Sequence, residues 1–238
     1  MKYAIVDERI GKEASEHLAL LGFKLIKLPP HKDLSEGVQS HTDMLIYRSG
    51  NTLLCQKDYL NEVKELSALK DEVSDRYRFI TCDTEFKSNY PFDARLNALN
   101  MGDAVFCKSD TVSEDILSLA KKQGKRIVHT NQGYPACTTL KLSEKNAITQ
   151  DAGMAKILSD NGIKVTLIEN GEIDLPPYKY GFIGGCAGIS DGVVYFNGQI
   201  ELHPSFNLIK DAIEEASLSY VCLSSQKLRD VGGILFLE

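Results

Sequence analysis

CTTLKLSEKNAITQDAGMAKILSDNGIKVTLIE, residues Cys137–Glu169, is the stretch on which the fold turns. CTTLKL and AITQD, from Ala147, read as two successive strands, being short and rich in β-branched residues. Ala152–Asn161 is a helical stretch that stops at Gly162, the residue type that most easily takes the left-handed conformation closing a helix. KVTLIE, from Lys164, is a third strand. The order is strand, strand, helix, strand.

Outward from this stretch the same order recurs. Helical stretches Glu13–Leu21 and Ser113–Gln123 also stop at glycines, Gly22 and Gly124, and Thr111 and Glu114 stand at capping-box spacing. Lys57–Asp71 and Ser205–Ala216, which follows Pro204, bring the helices to five. Each is preceded by a β-rich run (YAIVD from Tyr3, TLLCQ from Thr52, AVFCK from Ala104, AITQD, VVYFN from Val193). Each is followed by another (FKLIKL from Phe23, YRFITC from Tyr77, KRIVHT from Lys125, KVTLIE, SYVCLS from Ser219). A further strand stands ahead of four units: DMLIYR from Asp43, NALNM from Asn97, CTTLKL, and GCAGIS from Gly185. The unit at Tyr3 lacks one, while GGILFL from Gly232 is unpaired at the other end of the sequence. Pairing those two closes a ring and leaves no sheet edge exposed.

The expected fold is therefore α/β: a five-fold pseudo-symmetric α/β propeller forming a single domain over residues 1–238. No Gly/Ser- or Pro-rich linker interrupts it, and Asp83–Asp93 reads as a loop. An open doubly wound sheet would need parallel strands with near-continuous apolar runs, and CTTLKL and GCAGIS are too polar or too small for that.

Composition, 43% hydrophobic and 25% charged, is that of a globular protein. The opening MKYAIVDERIGKE has no sustained apolar run and nowhere do eighteen apolar residues follow one another, so neither a secretory signal nor a membrane span is expected and the cytoplasm is the expected location. A net charge of −6 without a basic run disfavours nucleic acid and tolerates a small cationic ligand. Six cysteines, Cys55, Cys82, Cys107, Cys137, Cys186 and Cys222, form no CxxC pair and have no close histidine, so free thiols and no metal are expected. No phosphate-binding loop or dinucleotide fingerprint is present, and no organic cofactor is expected. Oligomeric state is left open by the sequence.

Two segments carry more than the repeat. KLIKLPPHKDLSEGVQSHTDMLIYRSGNTLL, from Lys24, places His41 and Asp43 before a strand; QGYPACTTLKL, from Gln132, places Cys137 and then Thr139 at the start of another. With the five-fold repeat, these segments resemble the pentein fold of the guanidine-modifying superfamily, which includes agmatine, arginine and peptidyl-arginine deiminases, dimethylarginine hydrolases and amidinotransferases. The likeness covers residues 3–142 and 230–238. It implies a thiol nucleophile at Cys137, a general acid/base at His41, and guanidinium-binding carboxylates at Asp43 and at Asp230, which precedes Gly232 and Gly233. Asp230 stands where the family usually has Glu, and Gly184 and Gly185 occupy the place of a further acidic ligand. The order of units implies circular permutation; an unpermuted reading would put the nucleophile in GGILFLE, which has no cysteine.

The chemistry suits those groups. A thiolate attacks the resonance-stabilised guanidinium carbon, an imidazole protonates the departing amine and then activates water, and carboxylates hold the planar cation. If His41 and Cys137 act as a pair, the thiol is expected to ionise below the ordinary value. On their strands, His41 and Asp43 would share one face, as would Cys137 and Thr139. Each residue also has a structural reading: Cys137 as a buried strand thiol, His41 and Asp43 as a loop-to-strand cap, Asp230 as a turn residue. Cys55 and Cys107 read as core and Cys186 as structural or lining the same mouth, while His203 reads as a local cap and His17 and His31 as solvent-facing. The expected function is a cysteine-dependent hydrolase or amidinotransferase acting on a small guanidine or amidine compound; the alternative is a catalytically silent pentein that acts as a binding protein.

Overall fold

The computed structural model describes residues 1–238. It contains five separate three-stranded sheets, one for each repeat. In blade I the strand Leu235–Leu237 pairs antiparallel with Lys2–Asp7, which pairs parallel with Phe23–Leu28. The same inner, middle and outer order builds blade II from Ile46–Ser49, Thr52–Gln56 and Arg78–Cys82, and blade III from Leu99–Met101, Ala104–Cys107 and Arg126–His129. Blade IV is Thr139–Lys141, Asn146–Thr149 and Lys164–Leu167; blade V is Ala187–Ser190, Val193–Phe196 and Ser219–Cys222. The C-terminal strand beside the N-terminal one, in the register Tyr3 to Leu237, closes the ring.

Each middle strand is joined to its outer strand by a helical crossover, which a parallel pair requires. These crossovers are Lys12–Leu20, Glu114–Lys122, Ala152–Asp160 and Phe206–Glu215, and in blade II the pair Lys57–Glu62 and Lys64–Glu72. The sequence suggested one helix for Lys57–Asp71; the chain breaks at Val63, whose backbone is extended and whose side chain packs into the core. The capping box expected at Thr111 does not form either. Ser113 caps that helix, accepting from Asp115 N at 3.3 Å, while the Thr111 hydroxyl donates to Lys108 O.

Middle strands lie between two others and under a helix, so both faces need apolar side chains. Leu53, Leu54 and Cys55 are fully buried, as are Val105 and Cys107. Each buried aliphatic side chain contributes roughly 1.5–3 kcal/mol of transfer free energy. These residues belong to a cluster that spans blades I, II and III, and blade V has its own centre on Val194 and Phe196 against Ile209 and Ile213 of its helix. Cys55 and Cys107 are thus core residues, as their sequence context suggested.

The inner strands begin later than the sequence suggested. Thr42–Leu45 and Pro135–Thr138 are short helical turns, and Gly184–Cys186 is a 3-10 turn, each leading directly into an inner strand. Strand alternation therefore does not bring His41 and Asp43 onto one face, nor Cys137 and Thr139. Asn97, Cys137 and Gly185 instead stand two residues ahead of the strands that start at Leu99, Thr139 and Ala187, and His41 and Asp230 stand five ahead of Ile46 and Leu235. Pseudo-symmetry collects these positions at one end of the ring.

Candidate active site

At that end His41, Asp43 and Cys137 each present a ligand atom within 4.8 Å of the other two. Cys137 Sγ donates to Asp43 Oδ2 at 2.7 Å and accepts from Asn97 Nδ2 at 3.2 Å. Asn97 Oδ1 also accepts from Ala136 N at 2.9 Å, fixing the turn that carries the thiol. His41 lies between two carboxylates, its Nδ1 3.8 Å from Asp230 Oδ1 and its Nε2 3.9 Å from Asp7 Oδ2. These distances exceed a hydrogen bond, and both ring nitrogens are buried without a partner.

The backbone around these groups is arranged for close approach. Gly232, at φ +69, has no room for a side chain: a Cβ would stand 2.4 Å from that of His41. Its carbonyl accepts from Asp43 N at 3.1 Å, and its own N donates to Asp230 Oδ1 at 2.9 Å. Phe182 N donates to Asp230 Oδ2 at 2.9 Å. Gly185 lies against the same carboxylate, where a Cβ would fall 1.9 Å from Asp230 Oδ1. The glycine pair that stands in place of an acidic residue is therefore not a gap in the site. Asp230 fills the space at Gly185, and the carbonyls of Ala136, Cys137 and Thr139 crowd Gly184.

Burial dominates the electrostatics. It pushes the His41 imidazole toward its neutral form, against the opposing pull of Asp230 and Asp7. Burial also raises the Asp230 carboxyl, with His41 and the two backbone N–H donors acting the other way. Asp43 goes well up for the same reason, reinforced by Asp230, and its Oδ1 has no hydrogen-bond partner. The Cys137 thiol is pushed well up by burial and then by the charges of Asp43 and Asp230. For the free protein this runs against a thiol ionising below the ordinary value: two carboxylates lie beside the sulfur, and Lys179, the cation lining the cavity, is exposed.

A cavity of about 280 Å³ opens over His41, Cys137 and Asp230. Its walls are mostly apolar, Val38, Tyr134, Leu175, Tyr178, Tyr180 and Phe182, with the exposed Lys179 among them. Tyr178 is tied to Ser35 by a 2.8 Å hydroxyl contact, and Tyr134 donates to Asp93 Oδ2 at 2.6 Å. Gln150 pins the aromatic segment from below, donating to Gly181 O and accepting from Ile183 N. Behind Asp43, along the ring axis, lies a second cavity of about 260 Å³ bordered by Thr42, Asp43 and Thr139. The Thr42 and Thr139 hydroxyls there are buried without partners, a setting that suits ordered water. One atom each from His41, Asp43 and Cys137 could also hold a borderline divalent ion such as zinc.

Residues 5–235 match a family of unknown function, DUF6873. The chain belongs to that family. No curated protein matches it. Among solved structures this DUF6873 fold is similar to that of DDAH from Pseudomonas aeruginosa, a cysteine-to-serine mutant complexed with citrulline. The TM-score is 0.54 at 9% identity, over 92% of this chain and 91% of that one. An amidinotransferase from Microseira wollei in the saxitoxin biosynthetic pathway gives 0.51 at 13% identity, over 89% and 74%. The N-terminal domain of ArgZ, an arginine dihydrolase from the ornithine–ammonia cycle in cyanobacteria, gives 0.52 at 13%, over 90% and 78%. The likeness is one of fold: the chain has the pentein architecture of these guanidine-modifying enzymes.

All four residues singled out by motif, Cys137, His41, Asp43 and Asp230, meet at this one end of the ring. Cys186 does not join them; it is fully buried and its thiol donates to Phe182 O. His203 caps locally, accepting from Ser205 N at Nδ1, whereas His31 is buried between Tyr59 and Phe86 rather than solvent-facing. The sequence reading missed Asp7, Arg9 and Asn97. Arg9 clamps the fully buried Asp7 through Nε at 2.9 Å and Nη2 at 2.5 Å and reaches Gly37 O, tying blade I to the loop before His41. A signal was available for Asn97, which opens the inner strand of its repeat as Cys137 opens that of the next. The strand-end position of Asp7, followed by Arg9, carried no comparable sign.

Proposed function

We propose that this pentein, one domain over residues 1–238 and permuted relative to the deiminases, is a cysteine-dependent hydrolase or amidinotransferase for a small guanidine or amidine cation. The observation that carries the reading is the convergence of the Cys137 thiol, the His41 imidazole and the Asp43 carboxylate within 4.8 Å beneath an aromatic cavity. Asp230 supplies a second carboxylate at the same floor. A planar cation seated there pairs with Asp43 and Asp230 and removes the charge that holds the thiol protonated. Ionisation of Cys137 then depends on the substrate, which reconciles a raised free thiol with nucleophilic chemistry.

His41, neutral in the free site, takes the Cys137 proton as the thiolate forms a bond to the guanidinium carbon. The resulting imidazolium gives that proton to the departing nitrogen, the C–N bond breaks, and a neutral amine leaves an S-amidinyl cation on Cys137. In hydrolysis, His41 removes one proton from water, the oxygen bonds to the same carbon, the C–S bond breaks, and the remaining hydroxyl proton passes to solvent, so that a neutral ureido product is released. The imidazolium then reprotonates the sulfur. In amidino transfer an acceptor amine replaces the water. Tyr134, Tyr178, Tyr180 and Phe182 exclude bulk water and offer π-faces to the cation.

The test is turnover of a panel of small guanidines and amidines, following amine release, with intact-mass detection of an S-amidinyl adduct on Cys137. Turnover lost in Cys137→Ser, with an adduct trapped on the wild type, supports the reading. The upward push on the thiol favours a second reading, ligand binding without turnover. Saturable binding with neither product nor adduct for any compound would establish that reading instead.

A further inference from the structure

The opposite end of the ring is built from different chemistry. Where the inner strands finish, a cavity of about 990 Å³ is bordered by Arg48, Asn100, Lys125, Lys141 and Glu144. Arg48, Asn100 and Lys141 pair with Leu53, Val105 and Ala147, the same step of the ladder in three successive blades. Pseudo-symmetry thus places two cations and the amide between them on one level. Lys125 joins them from the start of blade III's outer strand, donating to Asn100 Oδ1 and, at 3.1 Å, to Gly102 O. Lys141 donates to Asn100 O at 3.0 Å, so a single residue holds both ammonium groups.

The cations outnumber their counter-charges. Glu144 pairs with Lys141 and accepts from Gly102 N at 2.6 Å, and Asp103 is engaged by Arg126. Arg48 and Lys125 have no carboxylate partner. Arg48 donates only to the carbonyls of Gly50 and Phe236 and lies over the Tyr77 ring, 5.4 Å from its centre. Both bear on Lys141, whose ammonium is lowered first by burial and also by the charges of Lys125 and Arg48. Three cations gathered around one available carboxylate, in a chain of net charge −6, repel one another unless an anion joins them.

We propose that this far mouth binds a multivalent oxyanion, phosphoryl or polycarboxylate, held by Arg48, Lys125 and Lys141. The site stands apart from the thiol at the other end of the ring. Lys125 and Lys141 act as point charges, and the guanidinium of Arg48, held over Tyr77 and by the carbonyls of Gly50 and Phe236, keeps Nη2 for the ligand. Calorimetric titration with inorganic pyrophosphate and, separately, with citrate tests it, with sodium chloride at matched ionic strength as control. Saturable one-site binding is expected for at least one anion and none for chloride. Pyrophosphate alone would mark the ligand as phosphoryl, citrate alone as carboxylate. Arg48→Gln and Lys125→Gln should each weaken the affinity about tenfold, the loss of one charged contact. Without ligand, Lys125→Gln should melt no lower than wild type, because the glutamine amide can still donate to Asn100 and like-charge repulsion is relieved. If it melts well below wild type, Lys125 is structural and the decision falls to Arg48→Gln. No saturable heat with either anion, or affinity unchanged in both variants, overturns the proposal.

Discussion

The two ends of the ring axis make an instructive contrast. At one, Asp7, Asp43 and Asp230 surround an imidazole and a thiol out of water; at the other, Arg48, Lys125 and Lys141 share one amide residue at a wide, solvated mouth. The same repeat produces both. Turns before the inner strands point one way, where His41, Cys137 and Asp230 take up space left by Gly232, Gly184 and Gly185. Strand ends point the other way, where long side chains need only a carbonyl or an amide to rest on. The first end buries charge at a cost in stability, an arrangement that persists where function requires it. The second leaves its charges half-buried, Arg48, Lys125 and Lys141 alike.

The contrast breaks most sharply at the thiol. Cys137→Ser should lower turnover by about 10⁴-fold or more, since a serine hydroxyl has neither the acidity nor the nucleophilicity required. Initial rates of amine release check this.

A smaller effect is expected from crowding the buried end. Gly185→Ala would set a Cβ 1.9 Å from Asp230 Oδ1, so that either the carboxylate or the turn must move. Overpacking of this kind costs about 1–3 kcal/mol, read as a lower denaturant midpoint at unchanged slope. The equivalent change at an open turn, such as Gly11→Ala in blade I, meets nothing within 4 Å and should leave the midpoint near the wild-type value.

Charge burial has a pH signature. Asp43 is raised above its ordinary 3.8 in the fold, so as pH climbs through that value the unfolded carboxyl ionises while the folded one does not. Its stabilising contribution is complete below pH ~4 and is lost as pH rises toward the folded value. Asp43→Asn removes that loss and keeps an acceptor for Cys137. The variant should therefore melt higher than wild type at pH 8, with the gain vanishing near pH 4, and it should be inactive. His41 works oppositely. Its lowered value contributes stability above its ordinary 6.5 that disappears on acidification, so His41→Phe should flatten the acid limb of the melting profile.

The smallest effect sharpens the contrast from the far side. Lys125→Gln should leave the alkylation rate of Cys137 within about twofold of wild type, because Lys125 contacts Asn100 and Gly102 and none of the groups that hold the thiol.

Much of this was legible in the sequence. Five helices with strands before and after each one, and GGILFL left over to pair beside Tyr3, dictated a closed ring, because periodicity and glycine stops act locally and survive folding. His41, Asp43, Cys137 and Asp230 were reachable by motif, and the ring brings them together. What sequence could not give was the conformation carrying them. Helical turns at Thr42–Leu45 and Pro135–Thr138 arise from cross-ring contacts, such as Gly232 O accepting from Asp43 N, that no local pattern encodes. Asp7 escaped notice for a similar reason: its value lies in a partner, His41, from another blade. The upward push on the Cys137 thiol in the free site comes from burial and from two carboxylates remote in sequence, which no local pattern encodes.

Paired alkylation of Cys137 tests the central claim, a thiol that ionises when a cation enters the site, most directly. Neutral 2-chloroacetamide and cationic 2-chloroacetamidine would be compared near neutral pH, with site occupancy read by peptide mass spectrometry. Cys137 should react with the neutral reagent more slowly than free cysteine and with the cationic one at least about a hundredfold faster than with the neutral one, a preference lost in Asp43→Asn. Equal rates with the two reagents, or modification favouring half-buried Cys222 over Cys137 with the amidine, would contradict a substrate-ionised nucleophile at this site.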